Sequence, residues 1–203
     1  MLTLNFSPFP TLKTGRLLLR SMILADAPYV MQLRSKKEVM KYINRPLTLT
    51  VEEAEKWIGV VTETLQKNDG ITWCICLKEE PLKHVGSIGL WRIEKENYRA
   101  EIGYMLDPSL QGKGLMFEAL QKVVDFGFSE MKIHSIEGRI DPRNIASGKL
   151  LEKRGFVQEA YFKENYYLPE GFADTAVYSL LTPYKVPAKT EEVQEKEMVL
   201  GSN

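Results

Sequence analysis

Apolar positions recur along this chain with two different periods, and each change of period marks an element. Leu17, Leu18 and Leu19, between Arg16 and Arg20, read as a first strand after the turn signal Thr14-Gly15. Asp26 stands where it would cap a short helix running to about Arg34. Thr50 and Glu53 have the spacing of a capping box, and Ala54, Trp57, Ile58, Val61 and Leu65 then recur at helical spacing until Asn68-Asp69-Gly70 ends the run. From Ile71 the period becomes two, so Ile71, Trp73, Ile75 and Leu77 share one strand face. Glu79-Glu80-Pro81 turns the chain into a second strand, His84 to Ile93, and a third follows from Ala100 to Leu106. Such short connections predict an antiparallel meander.

Asp107-Pro108 ends the meander. A helix carrying Phe117, Leu120, Val124 and Phe128 on one side follows Gly114. A strand is expected from about Lys132 to Ile140, then a short helix from Ile145 to Lys153 with Gly155 as its stop, and two more strands at Phe156–Tyr161 and Thr175–Leu181. The pattern is α+β, with one domain over residues 1–185. Residues 186–203 change character: four glutamates and two lysines surround the only apolar cluster, Met198, Val199 and Leu200, so this segment reads as a flexible charged tail.

Composition narrows the function more by exclusion than by suggestion. The 203 residues carry 27 Lys and Arg against 27 Asp and Glu, a net charge of zero, which argues against a broad basic surface for nucleic acid or anionic lipid. No apolar run approaches the ~20 residues of a spanning helix, and Met1 to Pro10 lacks the form of a signal peptide. The expected home is the cytoplasm, with no membrane partner. His84 and His134 stand alone and the two cysteines, Cys74 and Cys76, lie two apart on one strand, so neither a metal site nor a disulfide framework is expected.

Two stretches carry candidate chemistry. The first is Gln111-Gly112-Lys113-Gly114, which follows a strand and opens a helix. Glycines there let backbone N–H groups converge at the positive end of the helix dipole, an anion site suited to a phosphate or pyrophosphate, with Lys113 adding charge. An ordinary strand-to-helix turn has the same appearance. A Walker loop is excluded because Leu115 stands where a hydroxyl is needed, and the dinucleotide fingerprint fails because Phe117 stands at its third glycine. The second stretch is Asp141-Pro142-Arg143-Asn144-Ile145-Ala146-Ser147, in which Asn144 and Ser147 share one helix face. Taken alone it equally fits a helix cap and a small packing residue.

Together these stretches resemble the GNAT superfamily of acetyl-CoA-dependent N-acetyltransferases, in particular the branch of the RimJ and RimL ribosomal-protein N-terminal acetyltransferases. The matching residues run from Leu17-Leu18-Leu19-Arg20 through Gly86-Ser87-Ile88-Gly89-Leu90, Glu101-Ile102-Gly103-Tyr104 and Gln111-Gly112-Lys113-Gly114 to Asn144-Ile145-Ala146-Ser147 and Leu150-Leu151-Glu152-Lys153-Arg154-Gly155-Phe156. The resemblance implies a mostly antiparallel central sheet flanked by helices. It implies that Gln111, Gly112, Lys113, Gly114, Leu115 and Met116 hold the diphosphate of acetyl-CoA. It also implies that the pantetheine arm runs beside Met105 and Leu106, that Asn144 bonds that arm, and that Ser147 lies near the sulfur. Two departures stand out: Met116 replaces the usual small residue and threatens to crowd the diphosphate, and Leu151 occupies the position where many relatives carry a tyrosine acid.

Acetyl transfer to a primary amine needs a base, a polarised carbonyl and a stabilised thiolate. Glu101 is the candidate base, on a strand face shared with Gly103 and Met105; an ion pair with Arg99 or Arg139 is the competing reading. Ser147 is the candidate donor to sulfur. His84 and His134 read as strand-end or surface residues, and Cys74 and Cys76, without a basic neighbour, as packing residues. That favours direct attack in a ternary complex. Tyr29, Trp57, Trp91 and Tyr104 are candidate pocket walls, though aromatics of this kind are usually core. The acceptor is expected to be a protein N-terminus or a small-molecule amine, the alternative being a CoA-binding sensor without turnover. The chain is expected to act as a monomer or as a homodimer formed through a strand edge.

Overall fold

The computed structural model describes residues 1–168 and 171–184. In chain order these form β1 (Leu12–Lys13), β2 (Leu17–Arg20), α1 (Ala27–Arg34), α2 (Lys37–Met40), α3 (Val51–Gln66), β3 (Ile71–Leu77), β4 (Gly86–Glu94) and β5 (Arg99–Leu106). Then follow α4 (Leu115–Ser129), β6 (Ser135–Ile140), α5 (Ile145–Arg154), β7 (Val157–Leu168) and β8 (Gly171–Leu181). The eight strands make one sheet in the order β1-β2-β3-β4-β5-β6-β8-β7. Every neighbouring pair is antiparallel except β5–β6. The expected meander is β3-β4-β5. The expected charged tail, 186–203, lies outside the described residues.

Both faces of the sheet are covered, which is why β3 is buried on both sides. Ile71, Trp73 and Ile75 enter a large core with Leu90, Ile102, Leu120, Val124 and Ile136 beneath α4. Cys74 and Cys76 point the other way, into a smaller cluster with Val30, Ala54 and Ile58 of α1 and α3. Trp73 is fully buried and still satisfied, because its indole N–H donates to the Pro10 carbonyl at 2.7 Å. α4 approaches the sheet closely at Gly127, where a Cβ would stand 3.1 Å from both Ile136 and Leu90.

The capping box opens α3 in shifted form. The Thr50 hydroxyl accepts from the Glu53 N–H at 3.2 Å, but the Glu53 carboxylate reaches back one residue further, to the Leu49 N–H at 2.7 Å. Asp26 holds the N-cap position of α1 without a side-chain cap bond. Its carboxylate instead accepts from Ile23 N and, twice, from the Arg20 guanidinium at 2.8 and 2.6 Å. β7 runs seven residues beyond its expected end, and β8 begins four residues before its expected start. Nearly all of β7 is exposed on both faces, so no alternation announced its extension past Tyr161; its register comes from the ladder with β8, with irregularities at Gln158/Ala160 and Phe162/Tyr166. β6 starts at Ser135, since Lys132 takes a left-handed backbone with φ 59°.

Candidate active site

The parallel pairing of β5 with β6 is short. It joins Arg99 to Ser135, Ala100 to Ile136 and Glu101 to Glu137, and then the two strands part. Ile102 to Leu106 therefore runs beside β6 without a ladder bond, next to an open gap. Strand alternation places Glu101, Gly103 and Met105 on one face of this gap and Tyr104 and Leu106 on the face covered by α4 and α5.

At the end of β5 the loop is tied down from several sides. Asp107 accepts from Ser109 N–H at 2.9 Å, from its hydroxyl at 2.6 Å and from Lys36 Nζ at 2.7 Å, while the Gln111 amide donates to the Leu106 carbonyl at 3.2 Å. Gly112 and Gly114 have φ of 73° and 77°, left-handed values that favour glycine, and Gly114 is the N-cap of α4. Among the described residues, the N–H groups of Gly112, Lys113, Gly114, Leu115 and Met116 reach no acceptor. Five amides thus gather at a helix N-terminus, the arrangement an anionic diphosphate fits. The Leu115 side chain is in the core, and Met116 packs against that core, which takes its bulk away from the loop surface. One partner had no sequence signal, being 97 residues away. Arg16 donates to the Lys113 carbonyl at 2.9 Å and pairs with Glu118 at 2.8 Å, adding a second cation beside Lys113.

Asn144 caps α5, its Oδ1 accepting from Ser147 N–H at 3.2 Å. Its amide nitrogen has no partner among the described residues and is available to a ligand. Ser147 is buried, and its Oγ lies 2.8 Å from the Tyr104 hydroxyl. Tyr104, a candidate pocket wall by sequence, is in the fold the partner of Ser147. Burial pushes its hydroxyl up to about 12, against the opposing pull of the Ser147 bond, so it stays protonated. Leu151 is fully buried and wedges against Gly138, where a Cβ would meet it at 2.9 Å.

On the opposite face, a cleft of about 130 Å³ is lined by Arg92, Glu94, Arg99, Ala100, Glu101, Glu137 and Arg139. Glu101 pairs with neither Arg99 nor Arg139. Its Oε2 accepts from Arg92 at 2.9 Å, while Arg99 and Arg139 both bond to Glu137, a buried carboxylate with no sequence signal. Trp91 lies flat enough on Gly103 that a Cβ there would clash at 2.1 Å.

The other sequence candidates sit elsewhere. Trp57 stacks on Arg34 at 4.7 Å, and Tyr29 borders a separate cleft of about 340 Å³ with His84 and Lys36. His134 is exposed, but His84 is buried rather than superficial, and burial lowers it to about 4. Cys74 and Cys76 do have a basic neighbour: Arg20 pairs in register with Cys74, though its guanidinium is engaged by Asp26. The Cys76 contact first, and burial next, push the Cys74 thiol up, so it stays protonated. No cluster of three or more potential metal ligands occurs among the described residues, and none of their helices is long and apolar enough to cross a membrane.

Comparison with known proteins agrees with this geometry. Residues 16–157 match the acetyltransferase (GNAT) domain. An uncharacterized N-acetyltransferase p20 of Bacillus licheniformis is 35% identical over 171 residues, 84% of this chain and 96% of that protein. A ribosomal-protein-serine acetyltransferase of Escherichia coli is 28% identical over 74% of this chain and 83% of its own length. The solved structure of RimL, a ribosomal L7/L12 alpha-N-protein acetyltransferase in complex with coenzyme A, superposes with a TM-score of 0.78 at 23% identity, covering 85% of this chain and 98% of that one. A loop of free amides at a helix start, a gap between two parting parallel strands, and a match over most of the chain place this protein in the GNAT family of acetyltransferases, among relatives that include ribosomal-protein N-acetyltransferases.

Proposed function

We propose that this protein transfers the acetyl group of acetyl-CoA to a primary amine by direct attack in a ternary complex. One observation carries the reading: a carboxylate and a hydroxyl donor face opposite sides of the same gap. Glu101 stands on the open face, while Ser147 and Tyr104 stand on the helix-covered face. An acyl transfer needs that polarity, with proton removal on the side of the incoming amine and stabilisation on the side of the leaving sulfur.

Acetyl-CoA, when bound, supplies the thioester carbon that the amine attacks and the sulfur that leaves. The amides from Gly112 to Met116, with Lys113 and Arg16, hold the diphosphate. Met105 and Leu106 lie on the edge of β5 that β6 leaves uncovered, where the pantetheine chain would run, and Asn144 offers its free amide nitrogen. Glu101 accepts the amine proton. Ser147 donates to the sulfur, and Tyr104 donates to Ser147, which turns the serine hydrogen toward the gap. A thiol has an ordinary pKa near 8.5, so near neutral pH the departing thiolate needs a donated hydrogen bond more than a strong acid.

The family membership and the inward packing of Met116 support catalysis over a binding module without turnover. A protein N-terminus is the favoured acceptor, on the likeness to ribosomal-protein acetyltransferases. A thiol-release assay with acetyl-CoA and a panel of amines, run beside an acetyl-CoA titration, tests the proposal. Thiol release that depends on both amine and enzyme is expected; tight binding with no release on any amine would establish the sensor instead.

A further inference from the structure

The cleft at the parting of β5 and β6 has a charge layout that sorts acceptors. We infer that it selects an amine with an anionic group beside it, an α-amino acid or a peptide N-terminus followed by acidic side chains, and disfavours polyamines. This deepens the acetyltransferase reading and rests on it for turnover, though not for binding.

The layout is a floor of carboxylates under a rim of guanidiniums. The side chains of Glu101 and Glu137 are 16% and 8% exposed, whereas those of Arg92, Arg99 and Arg139 are 67%, 41% and 35% exposed. The floor is nearly filled. Glu137 uses Oε1 for Arg139 and Oε2 for Arg99. Glu101 uses Oε2 for Arg92, and among the described residues nothing bonds to its Oε1. One carboxylate oxygen is therefore open, and it belongs to the residue beside the gap. A single ammonium is what that oxygen accepts.

The rim holds the complementary capacity. A guanidinium has five N–H donors in a planar fork. Each of the three arginines gives one nitrogen to a floor carboxylate, so most of the donors around the cleft remain available. Two of the cations are braced. Arg139 lies 5.9 Å from the ring of Phe162, and Arg92 is aimed from a left-handed backbone with φ 47° at the bulge between Trp91 and Glu94. Glu94, the remaining acid of the cleft, is drawn to Asn97 at the adjacent turn by a bond of 2.9 Å. An acceptor seated with its amine on Glu101 thus meets cations with its next groups. A carboxylate there gains charge-assisted bonds, and a second ammonium meets like charge.

The test is acceptor competition read two ways. Acetyl transfer is measured as kcat/KM for four amines at fixed acetyl-CoA: free aspartic acid, a peptide beginning Ala-Asp-Asp, its Ala-Lys-Lys counterpart, and spermidine. Binding of the two peptides to the protein without acetyl-CoA is followed by fluorescence, which Trp91 reports from beside Glu101. The acidic peptide is expected to exceed its lysine counterpart by at least about tenfold in both readouts, with spermidine lowest in transfer. In Arg92→Gln and Arg139→Gln that ratio falls toward one through KM. A preference for free aspartic acid over the acidic peptide assigns the cleft to amino acids, and the reverse assigns it to protein N-termini. Equal use of the two peptides, or preference for spermidine, overturns the inference. Acidic-peptide binding that depends on the arginines, without transfer to any amine, sustains the inference and overturns the catalytic reading instead.

Discussion

Ser147 and Tyr104 meet through one hydrogen bond, so the roles proposed for them are not independent. Ser147→Ala removes the proposed donor to the sulfur and is expected to lower kcat by about 10²-fold, with acetyl-CoA affinity little changed. Tyr104→Phe leaves the serine in place but unaligned, and is expected to lower kcat by about tenfold, in line with the loss of one neutral hydrogen bond. The double variant should fall short of the product of the two losses, which steady-state rates on all four proteins would check. His84 governs a different property. Burial holds it neutral, its folded pKa of about 4 lying below the ordinary 6.5. As pH falls, the unfolded chain takes the proton first, so stability is full above about pH 6.5 and declines toward pH 4, by up to about 3 kcal/mol. Urea unfolding across that window is expected to show the decline in the native protein and to lose most of it in His84→Leu.

Among elements, the turn into α4 and the short β5–β6 ladder decide what the site can hold. Replacing Gly114 with valine imposes a β-branched side chain on a strained backbone at φ 77° and places its methyls on the loop surface beside Arg16, whose Nη2 is 3.6 Å from the new Cβ position. Calorimetric titration is expected to show acetyl-CoA affinity at least about tenfold lower, and unchanged affinity would place the diphosphate away from this loop. α5 answers a question that the family resemblance raised. Leu151 stands where many relatives are expected to carry a tyrosine, yet here it fills the space over Gly138. Leu151→Tyr is expected to destabilise the fold by about 1–3 kcal/mol through overpacking, without raising kcat, measured by denaturant unfolding alongside the rate assay.

At the scale of the whole molecule, one sheet separates two cores, and the proposed active site lies where its continuity breaks. Elements with strong periodicity were legible in advance: α3 from the stripe Ala54, Ile58 and Leu65, the meander from its alternation and short turns, and α5 from Asn144 and Gly155. Of β7 only the start, to Tyr161, was legible, because the exposed stretch from Phe162 to Leu168 carries no hydrophobic signature and exists only through its ladder with β8. The glycine loop before α4 was legible for the same reason as the helices: what it requires, glycine at positive φ and free amides at a helix start, is local. The pairing of Glu101 with Arg92, the Glu137 floor, the support from Arg16 and the Tyr104–Ser147 bond were not. Each joins residues that are distant in sequence or that differ only in which neighbour they face. The sequence by itself determined the strongly periodic elements, the family and the glycine loop, since these depend on backbone preference and on the period of burial. Only the tertiary structure decided which charges meet and which hydroxyls share a proton, because that depends on where β5 and β6 part and on what the packed helices bring to the gap.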